Sequence, residues 1–275
     1  MKKPALIIIS LICLIGLIWL IISKKSTPTS PTAEQAVDLP INTIPLTDRP
    51  FITLSPDSTG RSLDISISGA PKEGNMEYEM IYNASGKQEG ALGSIFLGSE
   101  KQLIVKSILL GSKSGGGKVT YHEGVTGGSL TVTYGLPAQA GETRLKESWN
   151  YLHFDLTDPT ISSTDGRFSM TFPKTSLKKD SVIITMKTFG YDKTGLPAET
   201  SVKAGPYGYF TQTPIKGSAQ ISLKLPAGEH VNPTIFEWNG SALPAQAGWK
   251  KLTTKLAGDT VSATASFNVF LVTAE

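Results

Sequence analysis

Residues 76–82 read Met76-Glu77-Tyr78-Glu79-Met80-Ile81-Tyr82, with Met76, Tyr78, Met80 and Tyr82 on one side of an extended chain and Glu77 and Glu79 on the other. Successive strand side chains point to opposite faces, so this period of two predicts a half-buried β-strand rather than a helix. The pattern recurs at Leu63, Ile65 and Ile67, which alternate with Ser62, Asp64, Ser66 and Ser68. It recurs again at Leu130, Val132 and Tyr134, which alternate with Thr131 and Thr133. Turn-forming clusters at Asn83–Gly86 and Lys113–Gly117 separate such runs at the spacing of sandwich strands. No segment in this region carries a sustained 3.6-residue apolar stripe. The fold class is read as all-β, in two β-sandwich domains.

Ahead of these strands, Pro4–Ser23 contains no charged residue and is bracketed by Lys2-Lys3 and Lys24-Lys25. At about 1.5 Å per residue, a helix of that length reaches roughly the 30 Å of a hydrocarbon core. A secretory signal has a shorter apolar core and a small-x-small cleavage site; here Ile22-Ser23 runs straight into Lys24. The expectation is an uncleaved single-pass anchor that contacts the lipid bilayer through residues 4–23. Cys13 is then a membrane-buried thiol rather than a lipidation site. No early glutamate of the type IV pilin kind is present. Lysines flank both ends, so charge alone does not orient the helix. The short stretch 1–3 and the long strand-rich remainder favour a cytoplasmic N-terminus and extracellular C-terminal domains.

The chain has 26 basic and 23 acidic residues; without the four flanking lysines, 22 basic residues remain. The exported part is nearly neutral, which argues against a nucleic-acid partner, because such a partner calls for a basic stripe. Cys13 is the chain's sole cysteine, so no disulfide framework exists. Residues 24–45 include Ser26-Thr27-Pro28-Thr29-Ser30-Pro31-Thr32 and read as an extended stalk. The domain plan is therefore 1–3, cytoplasmic; 4–23, anchor; 24–45, stalk; 46–156, first sandwich; and 157–275, second sandwich. Polar turn residues between Asp155 and Asp165 mark the boundary. The hexapeptide Leu-Pro-Ala-Gln-Ala-Gly occurs at 136–141 and 243–248. Its flanks differ, so it reads as shared loop composition. It lacks the Thr-Gly of a sortase signal.

In the second half, Asp165-Gly166-Arg167-Phe168-Ser169-Met170-Thr171-Phe172-Pro173-Lys174 precedes Leu177 and the strand Val182-Ile183-Ile184-Thr185-Met186. Gly205-Pro206-Tyr207-Gly208-Tyr209-Phe210, Pro214-Ile215 and Ile221-Ser222-Leu223-Lys224-Leu225-Pro226 follow. Phe236-Glu237-Trp238-Asn239-Gly240, Trp249-Lys250-Lys251-Leu252 and Val261–Phe267 complete the series. This ordered set, over about 163–275, resembles the ZU5-like β-sandwich of bacterial surface proteins. Independently, Asn239-Gly240 after Trp238 signals a hairpin that brings Trp249 back on a partner strand, as core packing. Some ZU5-associated domains cleave themselves at a His-Phe-Ser or Ser-Phe-Ser step. The matching stretch here is Ser266-Phe267-Asn268, where an amide replaces the nucleophilic hydroxyl, so the resemblance implies no such cleavage.

No other chemical signature emerges. Gly111-Ser112-Lys113-Ser114-Gly115-Gly116-Gly117-Lys118 misses the phosphate-loop spacing, ends in Val119 and lies between strands, so it reads as a hairpin loop. His122 and Glu123 are strand neighbours that face opposite ways, and His153 and His230 lack ligand-spaced companions. No nucleophile motif appears, and the chain is read as a non-enzyme. Asp155, Asp158 and Asp165 are the candidate metal ligands, for Ca²⁺ at the boundary; no other cofactor is expected. Tyr207, Tyr209 and Phe210 are the candidate ligand-binding residues, as an exposed aromatic row for glycans. The functional expectation is a structural, adhesive or protein-interaction role at the cell surface, with surface proteins or glycans as partners. The alternatives are a carbohydrate-binding module or a hydrolase with a dispersed site.

Overall fold

The computed structural model describes residues 39–98, 103–135, 141–197, 200–215, 217–240 and 247–274. The expected anchor, most of the stalk and most of both LPAQAG copies lie outside them. Among the described residues no helix is long and apolar enough to cross a membrane.

The first half contains β1 (Phe51–Pro56), β2 (Ser62–Ser68), β3 (Asn75–Ala84), β4 (Lys87–Phe96) and β5 (Leu103–Leu109). It continues with β6 (Gly111–Lys113), β7 (Val119–Tyr121), β8 (Val125–Gly135) and β9 (Glu142–His153). Then follow β10 (Thr160–Ser162), β11 (Phe168–Thr171), β12 (Val182–Lys187), β13 (Val202–Thr211) and β14 (Ala219–Lys224). The last strands are β15 (Thr234–Asn239), β16 (Gly248–Lys251), β17 (Lys255–Ala257), β18 (Thr260–Ala265) and β19 (Val269–Thr273). Apart from one 3-10 turn at Leu46–Asp48, the described residues are all-β, as the alternation predicts.

An antiparallel nine-stranded sheet, in the order β16-β15-β19-β13-β12-β9-β8-β3-β4, forms the middle layer. A three-stranded sheet, β1-β2-β5, packs on one face, and a five-stranded sheet, β10-β11-β14-β18-β17, packs on the other. The first core joins Ile52, Leu54, Leu63 and Ile65 to Met76, Met80, Leu130, Val132, Leu145 and Trp149. The second joins Phe168, Met170, Ile221, Leu223 and Val261 to Tyr207, Tyr209, Phe270 and Val272. Central strands serve both cores: β12 sends Ile184 and Met186 to the first and Ile183 to the second, and β19 sends Leu271 to the first and Phe270 to the second. Strands buried on both faces read as continuous apolar runs, and Val269-Phe270-Leu271-Val272 is such a run.

This arrangement bears on the expected boundary at 156/157. The polar stretch from Asp155 to Asp165 carries the chain from β9 to the five-stranded sheet, but the nine-stranded sheet continues through it. β9 pairs with β12 from Trp149↔Met186 to His153↔Val182, and the described residues belong to one compact unit. Residues 41–42, expected within the stalk, lie along a strand edge. β12 leaves the start of β9 uncovered, and the segment 41–42 occupies that edge. Ile41 bridges Arg144, and the Asn42 side chain donates to Lys146 O at 2.9 Å and accepts from Lys146 N–H at 3.1 Å. Arg49 then ties the segment down by donating to Ile44 O and Asn42 O.

Local turn chemistry agrees with the strands it joins. Ser85 and Gly86 have φ of 47° and 77°, the two left-handed residues of a tight hairpin between β3 and β4. Trp238 and Trp249 face each other across β15 and β16, ring centroids 5.5 Å apart, and both are buried. The turn that joins them is longer than the two-residue loop suggested by Asn239-Gly240.

Gly128 is required by a close approach: a Cβ there would lie 1.9 Å from Ile81 O on β3. Backbone cannot swing away as a side chain can. Gly128→Ala is expected to destabilise the fold by about 3 kcal/mol or more, lowering the thermal midpoint by roughly 6–12 °C. Gly116→Ala, in an open loop, should leave the midpoint unchanged in the same melting experiment.

Candidate interaction surface

The calcium ligands expected from sequence do not converge. Asp155 accepts from the N–H and hydroxyl of Thr157, and Asp158 accepts from Thr160 N–H. Asp165 accepts from the Ser163 hydroxyl and from Tyr207 O–H, each at 2.6 Å. Each carboxylate closes its own turn. Among the described residues no three His, Cys, Asp or Glu side chains group closely enough to hold a metal ion.

The aromatic row is also corrected. Tyr207, Tyr209 and Phe210 are 3, 4 and 9 % exposed. They lie on β13, whose two faces are both covered: Tyr207 and Tyr209 enter the second core and Phe210 the first. Alternation along a central strand therefore splits the row between two interiors, and none of it can stack on a sugar.

At the step where the five-stranded sheet begins to cover the middle layer, Glu147, Ser148, Ser163, Thr164, Asp165, Lys187 and Tyr207 line a cleft of about 170 Å³. Ligand sites typically span about 300–1,000 Å³, so this cleft is smaller than a typical ligand pocket. Burial would raise the Asp165 carboxyl, but hydrogen bonds from Ser163, Tyr207 and Arg167 N–H, with Lys187 nearby, hold it below the ordinary range. The Tyr207 hydroxyl is pushed well up by burial and by donation to that carboxylate. This pair is a structural clamp on the 163–167 turn.

Larger grooves of about 670 and 430 Å³ flank the β16–β17 connection. His230, Lys251 and Thr254 line the first, and Lys250, Lys255 and Thr264 the second; neither contains a carboxylate. His122 does meet polar partners. Its Nδ1 lies 2.9 Å from the Tyr82 hydroxyl, and its Nε2 lies 3.9 Å from Glu89, pinning the end of β7 against the β3–β4 hairpin. Gly111–Lys118 forms the β6–β7 hairpin, as read from sequence. Glu237, fully buried, accepts from the N–H groups of Ser266 and Phe267, so the stretch matching the self-cleavage step is held by a carboxylate.

What the sequence reading missed is an open sheet edge. Among the described residues β4 pairs only with β3 and ends the nine-stranded sheet. Its outward-facing Leu92 and Phe96 are 75 and 74 % exposed. The two-residue hairpin makes Ala84 and Lys87 a hydrogen-bonded pair, and Leu97 N–H still bonds Gly74 O at 2.9 Å. Bonded pairs alternate in an antiparallel ladder. Odd-numbered residues of β4 therefore bond to β3, while Gln88, Gly90, Leu92, Ser94 and Phe96 direct N–H and C=O to the open side. On β5, the end strand of the three-stranded sheet, Leu103 and Val105 are also more than half exposed. The alternation that predicts an inner face does not require the outer face to be polar, and the outward residues of Gly90–Phe96 were the available signal.

No protein-family model matches the chain, and no curated protein matches it.

On the wall of the cleft that holds Asp165, the largely buried side chain of Glu147 has its Oε1 unpartnered by hydrogen bonds and 3.9 Å from Arg49 Nη1. Burial pushes its carboxyl up from 4.5 to about 7, although Lys187 and Arg49 pull it down. A raised folded-state pKa stabilises the fold fully below the unfolded value and loses that contribution as pH rises through the folded value. Glu147 should therefore weaken the fold between about pH 4.5 and 7, by on the order of 3 kcal/mol at most. Glu147→Gln is expected to flatten this part of the pH–stability curve, measured by urea midpoints at pH 5 and pH 8.

Proposed function

We propose that this chain is a single-pass membrane-tethered protein with a cytoplasmic N-terminus, whose extracellular β-sheet body works by contacting other proteins. The role is structural or adhesive rather than chemical. The apolar run with its lysine brackets supports the tether, and the ordered motifs of 163–275 support a ZU5-like second sandwich of the bacterial surface kind. The observation that carries the interaction reading is the open edge of β4, with Leu92 and Phe96 three-quarters exposed beside unpaired backbone groups. Exposed strand edges pair readily with a further strand, and domains that bind by strand addition use such edges. The glycan reading has lost its aromatic row to the interior and is not carried further.

Two measurements test this. Protease added to intact cells is expected to digest the β-sheet body; complete protection would place it on the wrong side of the membrane. A photo-reactive residue in place of Leu92 or Phe96 is expected to give protein adducts on irradiation of living cells, with few from Thr264 on the five-stranded sheet. Equal adduct yields at all positions, or none, would remove β4 as the interaction surface.

A further inference from the structure

Every other terminal strand of the three large sheets carries a guard against edge pairing. β16, the far end of the nine-stranded sheet, has four residues and ends in Lys250-Lys251. β17 has three residues, Lys255 among them, and β10 has three. β1 carries Pro56 and β5 carries Lys106. Short length, proline and lysine are the usual means of keeping edges apart. β4 is ten residues long, and from Gly90 onward it has none of these devices.

The unguarded stretch is Gly90-Ala91-Leu92-Gly93-Ser94-Ile95-Phe96-Leu97-Gly98. On its outward, even-numbered face it is symmetric about Ser94: Leu92 matches Phe96 and Gly90 matches Gly98, while the odd-numbered positions (Gly93 and Ile95, Ala91 and Leu97) face inward and differ in size. Antiparallel pairing of two such strands about a two-fold axis opposes residues whose numbers have a constant sum. Directly opposed side chains share a face, so that sum must be even. A sum of 188 places Ser94 on the axis and Leu92 against Phe96 of the other copy, twice. Even-numbered residues, whose N–H and C=O groups already face the open side, then exchange the hydrogen bonds. No charged residue falls within the paired stretch, so two copies meet without the like-charge repulsion that opposes self-association.

We infer that β4 is a self-recognition edge: a second copy of this chain pairs antiparallel to it about Ser94, making one continuous sheet across the dimer. Aliphatic–aromatic cross-strand pairs such as Leu92 with Phe96 each add roughly 0.2–1 kcal/mol to a ladder. Specific interfaces bury about 1,200 Å² or more, and a lone strand pair is a small interface beside that figure. Confinement of both copies to one membrane raises their effective concentration and favours a small interface. The inference rests on the surface role proposed above and specifies the partner as the chain itself.

The test uses the full-length chain in its membrane with Cys13→Ser as background. Opposed residues in a bonded pair lie about 5.5 Å apart at Cα, within disulfide reach. Ser94→Cys is expected to give the disulfide dimer at least tenfold faster than Gln88→Cys. Co-expressed Leu92→Cys and Phe96→Cys chains should cross-link to each other faster than either does to itself. In the Ser94→Cys chain, adding Leu92→Lys with Phe96→Lys should abolish the cross-link. Adding Leu92→Lys with Phe96→Glu should restore it, because opposite charges then face each other across the axis. Similar rates at Gln88 and Ser94, or no restoration by the charge pair, would overturn self-pairing. Photo-adducts at Leu92 that contain only a different protein would also overturn it while leaving the surface role standing. No adducts at all would remove both.

Discussion

Burial of β12, β13, β15 and β19 on both faces is the constraint around which this molecule is built. Each strand must satisfy two interiors at once, so its side chains are apolar at consecutive positions, and buried polar groups such as Thr185 and Glu237 are partnered. Thr185, with no exposed surface, donates its hydroxyl to Ser162 O at 2.7 Å. Glu237 is spent on two backbone N–H groups and on Lys250 at 3.5 Å. A buried polar group without such partners costs about 1–3 kcal/mol. These contacts also do positional work, since they seat β10 and the 266–267 turn of the five-stranded sheet onto the middle layer.

The same layer explains why chemistry is scarce and edges matter. With the centre of the nine-stranded sheet covered above and below, its aromatic residues are consumed as packing. Phe168 stacks on Tyr207 and Phe270, and Tyr209 meets Phe172 edge-on. Covering runs out toward β3 and β4, where only the face beneath the three-stranded sheet is enclosed. What this end offers a partner is a backbone ladder and a few apolar side chains rather than a cavity. Such a surface suits assembly, where geometry repeats, better than recognition of a small ligand.

Much of the fold was legible because period-two alternation is a local property. Met76 to Tyr82, Leu63 to Ile67 and Leu130 to Tyr134 point where the pattern says. That Trp249 returns on the strand beside Trp238 was legible too, since a hairpin relates residues close in sequence, but the register was not. The domain plan was less so. Val182–Met186 and Val269–Val272 lack alternation, and that absence is itself the mark of two-sided burial. It cannot, however, say which sheets supply the two covers. The candidate site suffered most, because a row of aromatics looks the same in sequence whether its strand is central or terminal.

From the sequence alone come the all-β class, the inward faces of its regular strands, its main turns and the near-neutral balance of the strand-rich part. These depend on spacing, composition and formal charge, which a linear chain states directly. Tertiary structure alone decided that a single sheet runs through both halves, that Asp155, Asp158 and Asp165 stay apart, and that Tyr207, Tyr209 and Phe210 are interior. It also decided that β4 is an end strand while β13 is a central one. Strand order depends on contacts between residues far apart in the chain, and exposure follows strand order, so neither could be read from the residues in line.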